Sequence, residues 1–168
     1  MAVVNTKSIP ITNADAKPRL PNVAVTDGGI VQENVGTIEA VSGDSVNSTY
    51  RMLRISSSTR VTELLLYCDA ITNCSADIGL YRTADDGGAV VDADFFASEQ
   101  QLGMASVVGL NVLYEAVAGP ADVANIEKRI WQMLGLSADP GIQYDVVLTL
   151  TTAAAATGTV SLKCRYVD

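Results

Sequence analysis

Histidine is absent from all 168 residues. Without an imidazole, the Ser-His-Asp and Cys-His arrangements that usually activate a nucleophile near neutral pH cannot form. No cysteine pair has metal-ligand spacing, no glycine-rich phosphate loop is present, and no Gly-x-Ser-x-Gly elbow occurs. Charge is scarce as well: 18% of residues are charged, against about 25% in typical domains. Aromatic residues make up 5%. The longest apolar runs, such as residues 64–68, fall far short of the roughly 20 residues a spanning helix needs, so no membrane partner is expected. Basic residues number 11 against 19 acidic ones, for a net charge of −8. Arg51, Arg54 and Arg60 are scattered rather than gathered into a patch, so nucleic acid is not expected as a partner either. The first residues show no charged region leading into an apolar one, so cytosolic synthesis is expected.

What fills the chain instead is alternation. Val160, Leu162, Cys164 and Tyr166 alternate with Thr159, Ser161, Lys163 and Arg165, the period of a half-buried strand. The same pattern places strands at residues 60–70, 76–81 and 144–151; residues 35–41, short and mixed, and 50–55 read as further strands. In the strongest, Leu64, Leu66, Cys68 and Ala70 share one face, while Leu65 and Tyr67 make the other partly apolar. Residues 153–158 read as a hairpin connection into the last strand. One helix is expected between Pro120 and Leu134, where Val123, Ile126, Ile130 and Leu134 recur at helical spacing before Gly135. A second, shorter helix is expected over Asp92 to Gln101. Trp131, beside the apolar stripe, reads as a packing residue.

Residues 1–34 differ from the rest. Pro10, Pro18, Pro21 and the Asp27-Gly28-Gly29 turn break any periodicity, which describes an extended arm ordered by a neighbour. The expected organisation is therefore an arm over 1–34 and a mainly β domain over 35–168: a two-sheet β-sandwich of jelly-roll type with one or two short inserted helices. Mean hydropathy is +0.24. An apolar balance with so few charges points to surface that becomes buried on assembly.

Few residues tempt a chemical reading. Asp85, Asp86, Asp92 and Asp94 could offer oxygen ligands to a cation, but their spacing fits no EF-hand, and Asp85-Asp86-Gly87-Gly88 makes a good turn by itself. The odd set of Cys68, Cys74 and Cys164 reads as buried thiols; a Cys68–Cys74 disulfide is possible by loop length and disfavoured in a reducing cytosol. No metal, cofactor or enzymatic activity is expected.

Three stretches carry a resemblance: Tyr50-Arg51-Met52-Leu53-Arg54-Ile55; Ala76-Asp77-Ile78-Gly79-Leu80-Tyr81 running on to Asp92-Ala93-Asp94-Phe95-Phe96-Ala97-Ser98; and Ile126-Glu127-Lys128-Arg129-Ile130-Trp131 continuing to Gly135-Leu136-Ser137-Ala138-Asp139-Pro140-Gly141. Over residues 35–168 the chain resembles the capsid decoration or cement proteins of podovirus-type tailed bacteriophages. The resemblance implies a jelly-roll sandwich made in the host cytoplasm. It also implies a place on the outer capsid surface, where a homodimer or homotrimer bridges major capsid protein subunits. On that reading Ile9, Ile11, Leu20 and Val23, spaced between prolines on the arm, are the candidate capsid contacts. Leu65 and Tyr67 are the candidate oligomer-interface residues. The alternatives are a carbohydrate- or receptor-binding jelly-roll module and a tail or neck component; the single Trp argues against a sugar platform.

Overall fold

The computed structural model describes residues 6–103, 105–114 and 119–168. Eight strands follow one another: β1 Gln32–Ala40, β2 Thr49–Ser56, β3 Arg60–Cys68, β4 Ser75–Arg82, β5 Val90–Gln101, β6 Val107–Asn111, β7 Gln143–Leu150 and β8 Gly158–Val167. They form two four-stranded antiparallel sheets, ordered β1-β8-β3-β6 and β2-β7-β4-β5. The expected two-sheet sandwich is thus present. Pairing is nested from the ends of the series inward: β1 with β8, β2 with β7, β3 with β6, β4 with β5.

Alternation explains the core. On β3, Leu64, Leu66 and Cys68 point inward, and on β8 Val160, Leu162 and Cys164 meet them from the neighbouring strand. The facing sheet supplies Ile78 and Leu80 from β4, and Tyr144, Val146, Leu148 and Leu150 from β7. All of these are buried, and burial of such side chains at about 25 cal/mol per Å2 is what holds the two layers together.

Three expectations need correction. Residues 153–158 do not close a hairpin, because β7 and β8 lie in different sheets. The link instead crosses the end of the sandwich, with Ala154 buried and hydrogen-bonded through its backbone to Gly43 and Asp44.

Residues 92–101 belong to β5 rather than to a helix. Ile78 pairs with Ala97 and Leu80 with Asp92, so two steps along β4 are matched by five along β5. The bulge so formed lets Phe95 and Phe96, adjacent in sequence, both be buried, with ring centroids 4.8 Å apart in an edge-to-face contact. A pair of buried neighbours breaks the period of two that marks a strand.

The long helix over 120–134 is two short pieces: a 3-10 turn at Val123–Asn125 and the helix α2 at Ile130–Met133. The backbone N–H groups of Ile130 and Trp131 donate to the carbonyls of Thr59 and Ser57 at 2.9 and 3.1 Å. Docking on the β2–β3 turn therefore takes donors that a continuous helix would have used, and Val123 and Ile126 are left exposed. Gly135, at φ +70°, does occupy the expected left-handed position.

Candidate assembly surfaces

The segment before β1 contains one helix, α1 Ile9–Asp15, which buries none of its residues. A helix of one to two turns is not stable alone, and polar contacts hold it. Asn13 Nδ2 donates to Asn22 Oδ1 at 2.8 Å, Asn22 Nδ2 donates to Asp27 Oδ2 at 2.6 Å, and the Leu20 N–H donates to the Asn13 carbonyl at 3.1 Å. Lys7 pairs with Asp15 at 2.7 Å. Arg60 Nε ties the segment to the sandwich by donating to the Val25 carbonyl at 2.7 Å, and Val25 is buried. Ile9, Ile11, Leu20 and Val23 are all exposed, as are Ile30 and Val31. A hydrogen-bonded scaffold with almost no core of its own thus presents apolar side chains outward. Residues 1–5 of the expected arm lie outside the described residues, and β1 begins at Gln32, inside the expected arm boundary.

The two outer sheet faces differ. On the β2-β7-β4-β5 sheet, Asp145 is buried and receives two guanidinium groups: Arg51 Nη1 at 2.7 Å from Oδ2 and Arg54 Nε at 2.7 Å from Oδ1. Burial pushes the Asp145 pKa up, but the hydrogen bonds and charges of Arg54 and Arg51 outweigh it, and the net shift is downward. Arg51 also donates to the carbonyls of Arg82 and Gly88 and lies 5.9 Å from the Tyr81 ring centroid. Gly79 is roofed by β5, since a Cβ there would fall 2.2 Å from the Asp92 carbonyl oxygen. Val147 on the same face is fully buried.

On the β1-β8-β3-β6 sheet, register places Glu33, Arg165 and Glu63 in one outward row. Val35, Lys163, Leu65 and Asn111 form the next, and Thr37, Ser161, Tyr67 and Val108 the third. Arg165 bridges Glu33 at 3.0 Å and Glu63 at 2.8 Å, and Lys163 meets Glu33 at 2.8 Å. Thr37 and Ser161 share a hydrogen bond of 2.7 Å. Leu65 and Tyr67 are half-buried in these rows, with exposed Val35 and Val108 on the flanking strands. Neither Val35 nor Val108 is marked by a pattern in the sequence. Val35 opens a short stretch of mixed character, and β6 is only five residues long.

Chemistry elsewhere is muted. The three cysteines are buried and free, and burial pushes the Cys164 thiol up to about 12. Asp85 and Asp86 sit in the β4–β5 turn, where Asp86 pairs with Arg82 at 2.9 Å and Gly87 takes a left-handed φ of +80°. Asp92 is raised, first by burial and then by the neighbouring Asp94 carboxyl. Among the described residues no group of three or more acidic or cysteine side chains is placed to hold a metal, and no helix is long and apolar enough to cross a membrane. An open groove of about 470 Å3 beside Arg82, Asp92 and Tyr144 is walled by Met133, Leu134 and Pro140. A second, of about 450 Å3, lies over Arg51, Arg54 and Asp145.

No family model and no curated protein matches this chain. Among solved structures it is similar to a chain described as the cyanophage Pam1 capsid asymmetric unit. The TM-score is 0.52 with 15% sequence identity, covering 99% of this chain and 99% of that one. The two share a fold. The match extends over the segment before β1 as well as the sandwich.

Proposed function

We propose that this protein is a non-enzymatic structural component of a phage virion, decorating the outer surface of the icosahedral shell and bridging major capsid protein subunits. The observation that carries the reading is the end-to-end fold likeness to a chain of a phage capsid unit. The nested strand order supports a jelly-roll reading of the sandwich. On this reading residues 1–34 act as an arm, and Ile9, Ile11, Leu20 and Val23 are its shell contacts. Their exposure on a coreless scaffold supports that role. Residues 1–34 carry three basic and three acidic side chains, while the whole chain carries −8, so the negative charge lies outside the arm. An acidic body also avoids adsorbing the genome. Many individually weak contacts sum through multivalency on a repeating lattice.

The test is co-sedimentation with shells assembled from the major capsid protein of the same virus. The wild-type chain is expected to bind at saturable occupancy. A variant carrying Ile9→Asp, Ile11→Asp, Leu20→Asp and Val23→Asp is expected to fold normally, since all four positions are exposed, and to lose occupancy. Unchanged occupancy would remove the arm from the contact; no binding by the wild type would remove the decoration role.

A further inference from the structure

We infer that the groove beside Arg82, Asp92 and Tyr144 docks a short extended stretch of polypeptide, with a large aliphatic side chain against its walls and a backbone amide on its floor. The groove lies where β4 ends and β5 and β7 begin. Sheet register builds the floor: Arg82 on β4 stands opposite Tyr144 on β7, and its guanidinium lies 5.6 Å from the centre of the Tyr144 ring. Asp92 on β5 completes it. The walls are apolar, with Met133 and Leu134 from the end of α2, Leu136 just beyond and Val91 on β5. Leu136 is 40% exposed and Val91 36%, so this apolar surface is open to an occupant.

The floor holds hydrogen-bonding capacity that the fold does not use. Tyr144 is 2% exposed, yet its hydroxyl has no hydrogen-bond partner among the described residues. Nearly buried polar groups in native proteins are paired with protein, water or a ligand. The Arg82 guanidinium has five N–H donors, and the structure gives Nη1 to Asp86 at 2.9 Å. Asp92 takes the Asp94 backbone N–H on Oδ1 at 3.3 Å. A carboxyl group retains acceptor capacity beyond one such bond in either protonation state.

Charge and shape select the occupant. Asp86 already pairs with Arg82, and Asp92 lines the same groove. A phosphate or carboxylate would therefore meet two carboxyl groups for one guanidinium, and like charge opposes it. A sugar would leave the apolar walls unused. A neutral peptide unit satisfies both parts: its carbonyl accepts from Arg82, its N–H donates to Asp92, and its side chain takes Met133, Leu134 and Leu136 out of water. The groove volume of about 470 Å3 falls in the range of ligand sites, about 300–1,000 Å3. Its open form admits a chain running through it. The inference rests on the groove alone, so it stands or falls separately from the decoration role.

A methyl NMR titration of the full chain with N-acetyl-leucine N-methylamide tests the inference. Saturable shifts are expected at the Met133, Leu134 and Leu136 methyl groups, with a Kd in the millimolar range that suits so small a ligand. The N-acetyl-glycine analogue, which keeps the amide and lacks the side chain, is expected to bind at least about tenfold more weakly. Leu136→Asp, at an exposed position, and Arg82→Gln, which shortens the donor and removes its charge, are each expected to weaken the leucine ligand by at least about threefold. Circular dichroism verifies that each variant folds. No saturable shift, shifts confined to other surfaces, equal binding of the glycine analogue, or leucine binding unchanged in either variant would each overturn it.

Discussion

The two sheets of the sandwich treat their outer faces in opposite ways. The β2-β7-β4-β5 sheet covers most of its face with its own chain, leaving Val90 exposed at the β5 edge: the β5 bulge lies against Gly79, Val147 is fully buried, and Arg51 and Arg54 lock onto Asp145. The β1-β8-β3-β6 sheet leaves Val35 and Val108 exposed beside half-buried Leu65 and Tyr67. The difference separates a face largely covered by its own chain from one more open to solvent, and the segment before β1 adds further exposed apolar side chains.

The sharpest way to test that division is by strand phase. Leu66→Ala, on the inward phase of β3 and fully buried, is expected to cost about 2–5 kcal/mol in urea unfolding. Leu65→Ala, its neighbour on the open face, is expected to cost less than about 1 kcal/mol. Equal losses would mean that both faces of β3 are core and that no face is free.

Next in size is the closed face. Gly79→Ala puts a methyl group against the Asp92 and Ala93 backbone, which cannot swing aside as a side chain can. The expected loss is about 1–3 kcal/mol, measured by the same unfolding.

Asp145→Asn removes the charge that two guanidinium groups share, with an expected loss of about 1–3 kcal/mol at neutral pH. The pH dependence has a definite sign. Because the folded pKa of Asp145 lies below its ordinary value of 3.8, its stabilisation is present above the unfolded value. That stabilisation is lost as pH falls through the lower folded one. The Asn variant is therefore expected to lose less stability than the wild type on acidification below about pH 4. Parallel acid limbs in the two proteins would contradict the pairing.

Smallest in energy is the thiol test. Burial raises all three cysteines, so a thiol reagent is expected to label none rapidly in the native chain and all three in denaturant. Rapid labelling of Cys68 without denaturant would mean that the sandwich opens along the β3–β6 side.

Much of the sandwich was legible in the sequence because its long strands alternate without interruption. The inward residues of β3, β7 and β8 follow directly from that phase. Where local and tertiary demands diverge, the pattern fails. Phe95 and Phe96 are both buried only because β5 bulges, which no period of two or of 3.6 anticipates. The stripe of Val123, Ile126 and Ile130 has helical spacing, but Ile130 is anchored by backbone bonds to a turn about seventy residues earlier in the chain. The 153–158 link looks like a hairpin locally and is a crossover because Ala154 packs against the distant 43–44 turn. The Asp145 cluster was invisible for the same reason, its arginines standing 94 and 91 residues away. The candidate contacts on the arm and on β3 could be chosen from the sequence, since exposed apolar residues between prolines and a strand with two apolar faces leave local traces. Val35 and Val108 join Leu65 and Tyr67 only through register.

The most direct test of a decoration role is the copy number and position of this chain in purified virions, by quantitative gel and cryo-electron microscopy. A decoration protein predicts many copies in a fixed ratio to the major capsid protein, on the outer shell at its symmetry axes, with density for the arm running onto neighbouring subunits. A few copies confined to the tail or neck, or none in the particle, would contradict it.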